Sequence, residues 1–340
     1  MIYRSKAPLR IGLAGGGTDV SPYCDIYGGA ILNATITLYA NATIELINEN
    51  KIILRSIDRN EEQQFDWNKR LPIDGNLDLL KGIYNRIQKD YGFSQQGFRL
   101  STYVDAPSGS GLGTSSTLVV AIIGAFTEML RLPLGEYDMA HYAYEIERKD
   151  LNFVGGRQDQ YAATFGGINF MEFYRDDKVI VNPLTIKQNY LFELENNLLL
   201  YYTSTSRESA NIIMNQSRNV IEKKSSSIEA MHQLKEQAKQ MKEALLKGNL
   251  HELGGIFDFG FQQKKKMVEG ISNPLIEEIY ETAKKAGATG GKISGAGGGG
   301  FMIFYCPVNT KYNVIKSLEK FGGRYRRYKF TDHGLTTWTI

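Results

Sequence analysis

Pro107-Ser-Gly-Ser-Gly-Leu-Gly-Thr-Ser-Ser116 is the stretch on which the reading of this chain turns. The apolar run Leu118–Phe126 follows it, so a helix over residues 116–131 is expected to start directly from a glycine-rich turn. Glycines let successive backbone N–H groups line one anion-binding concavity. A helix start adds unpaired donors and the positive end of the helix dipole. The hydroxyls of Thr114, Ser115 and Ser116 can cap that helix or coordinate Mg2+. The stretch reads as a phosphate loop, with an ordinary serine-capped turn as the plainer alternative.

Working outward, a strand over 97–104 leads into the loop, and a second helix, 134–151, follows and carries Glu145 and Glu147. A third helix begins near Asp159, after Gly155-Gly156-Arg157-Gln158. One carboxylate beside a phosphate loop can hold a metal ion, and another can orient or deprotonate an acceptor hydroxyl. That is the minimal equipment for phosphoryl transfer, where positioning and charge neutralisation supply most of the catalysis.

The rest of the chain bounds the answer. It has 340 residues, 42% hydrophobic and 23% charged, enough for a sizeable core in two domains. Forty Lys+Arg against 37 Asp+Glu leaves +3, which gives no reason to invoke nucleic acid or an anionic membrane. The basic runs Lys264–Lys266 and Arg324–Arg327 read as solvated faces. Two cysteines, Cys24 and Cys306, exclude a disulfide framework or a structural zinc site. No signal pattern opens the chain and the longest apolar run is too short for a bilayer, so a soluble cytoplasmic protein is expected. Nothing in the sequence specifies an oligomer, and a homodimer remains open.

Thirty-five glycines exceed the usual share, and 15 of them fall in 12–17, 109–113 and 287–300. Clustering of this kind marks loops in which backbone approaches something closely. Other nucleotide motifs fail. Gly295, Gly297 and Gly300 match GxGxxG but precede a strand, 301–305, where a dinucleotide site needs a helix. Around Lys292 a Walker loop lacks its leading glycine and its hydroxyl residue. Asp258-Phe259-Gly260 has no HRD partner, and the four histidines show no metal spacing. Beyond residue 198 the expected order is a strand (198–203), helices (207–222, 227–247, 250–269, 274–286), a strand (301–305), a helix (309–321) and a strand (325–331).

Ala7-Pro-Leu-Arg10-Ile-Gly-Leu-Ala-Gly-Gly-Gly-Thr18-Asp19, Pro107–Ser116, Gly155–Gln160 and Lys292-Ile-Ser-Gly-Ala-Gly-Gly-Gly-Gly-Phe301 together resemble, in order and spacing, the motifs of the GHMP kinase family. They span nearly the whole chain. The resemblance implies an α+β fold, with a ribosomal-S5-like N-terminal domain (1–190) and a ferredoxin-like C-terminal domain (191–340). ATP and a small-molecule sugar phosphate would meet between them.

The resemblance also implies roles. Asp159 matches the catalytic base, and Arg10 the basic residue that favours the acceptor alkoxide. Pro107, Ser108, Gly109, Ser110, Gly111, Leu112, Gly113, Thr114, Ser115 and Ser116 match the ATP loop. Ser115 and Glu147 match Mg2+ ligands. Gly15, Gly16, Gly17, Thr18 and Asp19, with Gly295, Ala296 and Gly297, match the acceptor side, Asp19 taking a sugar hydroxyl. Where the galactokinase signature has Glu-His before Thr-Asp, Gly16 and Gly17 stand here. The change removes a negative charge and opens space, which suits a longer sugar ending in a phosphate.

The phrase from Pro8 to Asp19, with Asn33-Ala-Thr-Ile36 downstream, is similar to the family's heptose-phosphate branch and implies transfer to the anomeric hydroxyl of a heptose 7-phosphate. Arg157 and Arg207 are candidate ligands of that phosphate. Lys292 reads equally as a ligand or as a surface lysine. Another sugar 1-kinase, for fucose, galactose or a hexose phosphate, and a non-catalytic sugar sensor are the competing readings.

Overall fold

The computed structural model describes residues 1–67, 69–92, 96–205 and 209–340. Its strands are β1 (Ile2–Ala14), β2 (Gly29–Ile47), β3 (Lys51–Ser56), β4 (Glu61–Asp66), β5 (Gly97–Val104), β6 (Ile168–Phe173), β7 (Val179–Pro183), β8 (Leu198–Tyr202), β9 (Gly290–Ile293), β10 (Phe301–Tyr305), β11 (Arg324–Arg326) and β12 (Thr336–Thr339). One sheet runs β12-β1-β2-β5-β3-β4, with β6 joined to β2 and β7 to β6. Strand β2 is long enough to serve two neighbours: its far half, Ala40–Ile47, pairs with β5 and its near half, Gly29–Ala34, with β6. Only β3 and β5 run parallel among the named pairs of this sheet.

The second sheet is antiparallel, in the order β11-β8-β10-β9. Counted in chain order that is fourth-first-third-second, the arrangement of a ferredoxin-like unit.

The helix after the phosphate loop, Thr114–Leu130, is buried on nearly every side, from Val119 to Phe126. It lies across β1 and β2 and is flanked by Asp78–Asp90, Glu136–Tyr144 and Gln158–Phe165. This explains why the sequence is apolar all round there rather than striped. The helix Ser225–Lys247, by contrast, is striped, with Met231, Leu234, Ala238, Met241 and Leu245 all buried on one face.

Leu9, Ile11 and Leu32 of the first sheet pack with Leu200, Phe301 and Ile303 of the second and with Ala238 and Met241 of that helix. Each such side chain contributes about 1.5–3 kcal/mol by leaving water. One core therefore ties the two sheets together and fixes the cleft between them. Among the described residues no helix is long and apolar enough to cross a membrane.

Several elements depart from the sequence reading. β4 (EEQQFD) is a polar edge strand with no apolar alternation to announce it. β9 (GGKI) looked like part of a glycine loop but is buried throughout. The expected strand over 325–331 is only three residues long. Beyond it Phe330 bridges to Ile36, and β12 returns to pair with β1 in the first sheet.

Candidate active site

The phosphate loop is clasped by backbone from both sheets. The carbonyl of Ser110 accepts from Phe301 N at 2.9 Å and that of Leu112 from Arg10 N at 3.2 Å. The Gly111 carbonyl accepts from Arg10 Nη1 at 2.6 Å and Ser294 Oγ at 2.8 Å. In a trans peptide the N–H points opposite the C=O. Spending these three carbonyls on the protein turns the following N–H groups the other way.

Gly113, at φ +77°, begins the helix, and no side chain caps it. The serine-cap alternative fails because Ser115 and Ser116 point elsewhere: their hydroxyls donate to Glu147 Oε1 and Oε2 at 2.7 and 2.6 Å. The helix start thus keeps its free donors and dipole for an anion.

Glu147 is held by more than the serines. The helix containing it widens to a π-helical turn over Glu145–Asp150, a distortion that re-aims side chains. Glu147, buried, also accepts from Gln160 Nε2 at 2.7 Å and pairs with Arg148 at 3.1 Å. Glu145 is on the other side, taken up by Arg86 and Lys149. A carboxylate and a hydroxyl side by side are hard oxygen donors suited to Mg2+, which keeps waters and takes its other ligands from phosphates.

Arg10 Nε lies 2.7 Å from Asp159 Oδ1. The Asp159 carboxyl packs directly over Gly113, where an added Cβ would stand 3.0 Å from its Cγ. Asp19, fully buried, accepts from the backbone N–H of Arg157 at 2.9 Å and of Gln158 at 3.1 Å. Burial, with Asp159 nearby, raises the Asp19 pKa above the usual carboxylate range.

A cleft of about 780 Å³ collects these groups. It is lined by Arg10, Gly16, Gly17, Asp19, Ser108, Gly109, Gly111, Gly113, Thr114, Ser115, Ser116, Glu147, Asp159, Gly295 and Ala296 among the expected residues. Pro107, Ser110, Leu112, Gly15, Thr18, Arg157 and Gly297 do not line it. Thr18 is structural: its hydroxyl donates to Gly15 O and Ala30 O, both at 2.9 Å.

Arg157 does not meet its expectation as a phosphate ligand. Its guanidinium is committed to Asp25 at 2.8 Å, Asp177 at 3.0 Å and the Tyr174 carbonyl at 2.8 Å. Arg207, the other candidate, lies outside the described residues.

Two lysines in the cleft wall correct the sequence reading. Lys264, expected on a solvated face, is 3% exposed and donates to the Gly295 carbonyl. Lys292 is 5% exposed and donates to the Gly12 carbonyl at 2.9 Å. Burial is the main cause that lowers both, Lys264 to about 8 and Lys292 well below its ordinary value. A triple-lysine run on a helix carries no signal that one member points inward.

Comparison with known proteins agrees with this geometry. The GHMP kinases N terminal domain model matches residues 78–167, and the GHMP kinases C terminal model matches residues 241–323. The D-glycero-alpha-D-manno-heptose 7-phosphate kinase of Campylobacter jejuni is 50% identical over 337 residues, covering 99% of each chain. A crystal structure of a D-glycero-D-manno-heptose 1-phosphate kinase from Bacteroides thetaiotaomicron superposes with a TM-score of 0.85 at 46% identity, over 99% of each chain. Lactococcus lactis galactokinase in complex with galactose shares the fold, with a TM-score of 0.77 at 19% identity over 98% of this chain and 95% of that one.

The protein is a sugar-phosphate kinase that uses ATP as its phosphate donor. The chain belongs to the GHMP kinase family.

Proposed function

We propose that the chain transfers the γ-phosphate of ATP to the anomeric hydroxyl of D-glycero-D-manno-heptose 7-phosphate. The product is the 1,7-bisphosphate, a step toward GDP-heptose and surface glycans. The carrying observation is the Asp159 carboxylate, gripped by Arg10 at 2.7 Å and seated against Gly113 at the uncapped helix start. A hydroxyl beside Asp159 gives its proton to that carboxylate as its oxygen bonds the γ-phosphorus. The bond from phosphorus to the β,γ-bridging oxygen breaks and ADP leaves. Arg10 fixes the carboxylate and offsets charge on the transferring group. The N–H groups of the loop and of the first helical turn hold the phosphates.

Ser115 and Glu147 are the residues that would hold Mg2+, which when bound neutralises charge on the β- and γ-phosphates. Asp19 takes a sugar hydroxyl. The heptose assignment is supported by the names of the two relatives at 46–50% identity and by the open, uncharged position at Gly16.

The test is ADP release with heptose 7-phosphate, heptose 1-phosphate, galactose and fucose as acceptors. The 7-phosphate should give the highest kcat/KM. Preference for the 1-phosphate, which has no free anomeric hydroxyl, or for a neutral hexose overturns the acceptor. Asp159→Asn should lower kcat about 10²–10⁴-fold with ATP binding retained. Unchanged turnover in that variant would remove Asp159 from the chemistry.

A further inference from the structure

The buried charged side chains among the described residues are Arg10, Asp19, Lys81, Glu147, Arg157, Lys264 and Lys292. Arg10, Lys81 and Arg157 each sit on a carboxylate, Glu147 pairs with Arg148, and Asp19 takes two backbone N–H groups. Lys264 and Lys292 differ. Among the described residues neither has a carboxylate at ion-pair distance, and each donates one hydrogen bond, to a backbone carbonyl. An ammonium has three donors, so two on each lysine have no partner among the described residues. Buried charges are as a rule paired or bound to a ligand.

Both lysines line the cleft, Lys264 from the helix Leu253–Met267 and Lys292 from β9. They also repel one another, Arg10 adds to the repulsion, and Asp19, beyond ion-pair distance, offsets part of it at Lys264. Two lysines without an ion-pair partner among the described residues in one cleft wall describe a receptor for an anion that arrives with a substrate.

Their position says which substrate. Around Lys292 Nζ lie the backbones of Gly12 and Gly16: a Cβ added at either glycine would meet only this ammonium, at 3.9 and 4.0 Å. This is the cluster that leads to Asp19, and it lines the same cleft as the helix start at Gly113. The nucleotide phosphates already have the loop N–H groups, the helix start and the Ser115–Glu147 pair. The other cations at or beside the cleft among the described residues already have carboxylates: Arg10 has Asp159, Arg148 has Glu147, and Arg157 has Asp25 and Asp177.

We propose that Lys264 and Lys292 form the subsite for the acceptor's own phosphate, a phosphomonoester dianion held between two ammonium groups beside Gly12 and Gly16. The proposal rests on the sugar-phosphate reading above and names the residues that enforce it. It also explains what Gly16 is for: any side chain there would fill the space that the dianion needs.

The experiment compares wild type, Lys264→Met and Lys292→Met with heptose 7-phosphate and with the same heptose lacking its phosphate. Methionine keeps length and apolar bulk and removes the charge. The ratio of kcat/KM for the phosphorylated to the unphosphorylated sugar should fall about tenfold or more in each variant, through acceptor KM rather than ATP KM. Lysine-to-arginine variants should recover part of the ratio. Equal losses on both sugars, or a loss confined to ATP KM, overturn the proposal.

Inorganic phosphate with the wild-type enzyme is the second probe, free of any folding defect. It should inhibit competitively against heptose 7-phosphate and not against ATP, and the reverse pattern overturns the subsite. If wild type itself ignores heptose 7-phosphate, the function is wrong. If wild type uses it and the variants keep its selectivity, only the subsite is wrong.

Discussion

At Gly111 and Gly113 the place where a side chain would begin is already occupied: by the Ser294 carbonyl oxygen 2.7 Å away in one case, by the Asp159 carboxyl in the other. At Gly12 and Gly16, which line the same cleft, that place is empty up to a lysine nitrogen about 4 Å off. Both stretches read as glycine-rich loops that border a ligand. In the first, glycine permits protein to touch protein. Gly111 and Gly295 press backbone on backbone, and an added Cβ at Gly295 would stand 2.5 Å from the Gly111 Cα. The phosphate loop is thereby locked against the second sheet. In the second, two of the glycines permit something that is not protein to enter. Composition alone does not distinguish these uses, because both remove a Cβ.

Gly113→Ala should give the largest effect. The new methyl would push into Asp159, and φ +77° is unfavourable for alanine. A catalytic carboxylate displaced by a fraction of an ångström to about 1 Å loses on the order of 10²-fold in kcat. Turnover near wild type would show that Asp159 tolerates displacement and is not the proton acceptor.

Gly111→Ala and Gly295→Ala follow, read as stability. Positive φ costs about 1–2 kcal/mol for a non-glycine residue, and overpacking about 1–3 kcal/mol more. Denaturant titration should therefore show losses of about 2–5 kcal/mol in each. A loss below about 1 kcal/mol would mean that the two loops separate easily and that the clasp is not what fixes the phosphate site.

What could be read in advance follows the same division between local and tertiary causes. The strands at 97–104 and 301–305 fall where the sequence puts them, because turn residues bound each one and apolar residues alternate along the first and fill the second. The Arg10–Asp159 and Ser115–Glu147 contacts join residues singled out by motif, although 149 and 32 positions separate them. β4 and β9 were illegible because an edge strand can be polar and a buried strand can be glycine-rich when it packs on another backbone. Gly290 lies against Gly254 in this way. Lys264 was misread since its neighbours Lys265 and Lys266 are more exposed, and only the packing of the helix decides which of the three turns inward. Arg157 was misread in the opposite sense: its motif is at the site, with its backbone N–H on Asp19, while its side chain serves Asp25 and Asp177.

Gly16→Glu tests the open side of the comparison. The carboxylate would have room and would sit beside Lys292, competing with the acceptor's phosphate for the same cation. KM for heptose 7-phosphate should rise about tenfold, with the melting temperature little changed. An unchanged KM would separate Gly16 from the phosphate subsite.

The smallest effect is the most discriminating. Gly16 lies outside the left-handed region, and a methyl group there meets nothing closer than 4.0 Å. Replacing glycine by alanine where the native backbone accepts it stabilises a protein by about 0.4–1 kcal/mol, since the unfolded chain loses freedom. Gly16→Ala should therefore raise stability slightly, with the opposite sign to Gly111→Ala, although both change one glycine to one alanine in a loop bordering the same cleft. If the dianion needs the volume that a methyl fills, KM for heptose 7-phosphate rises severalfold while stability still increases. A gain in stability with a loss in acceptor affinity is the result expected of a glycine retained for its ligand rather than for its backbone.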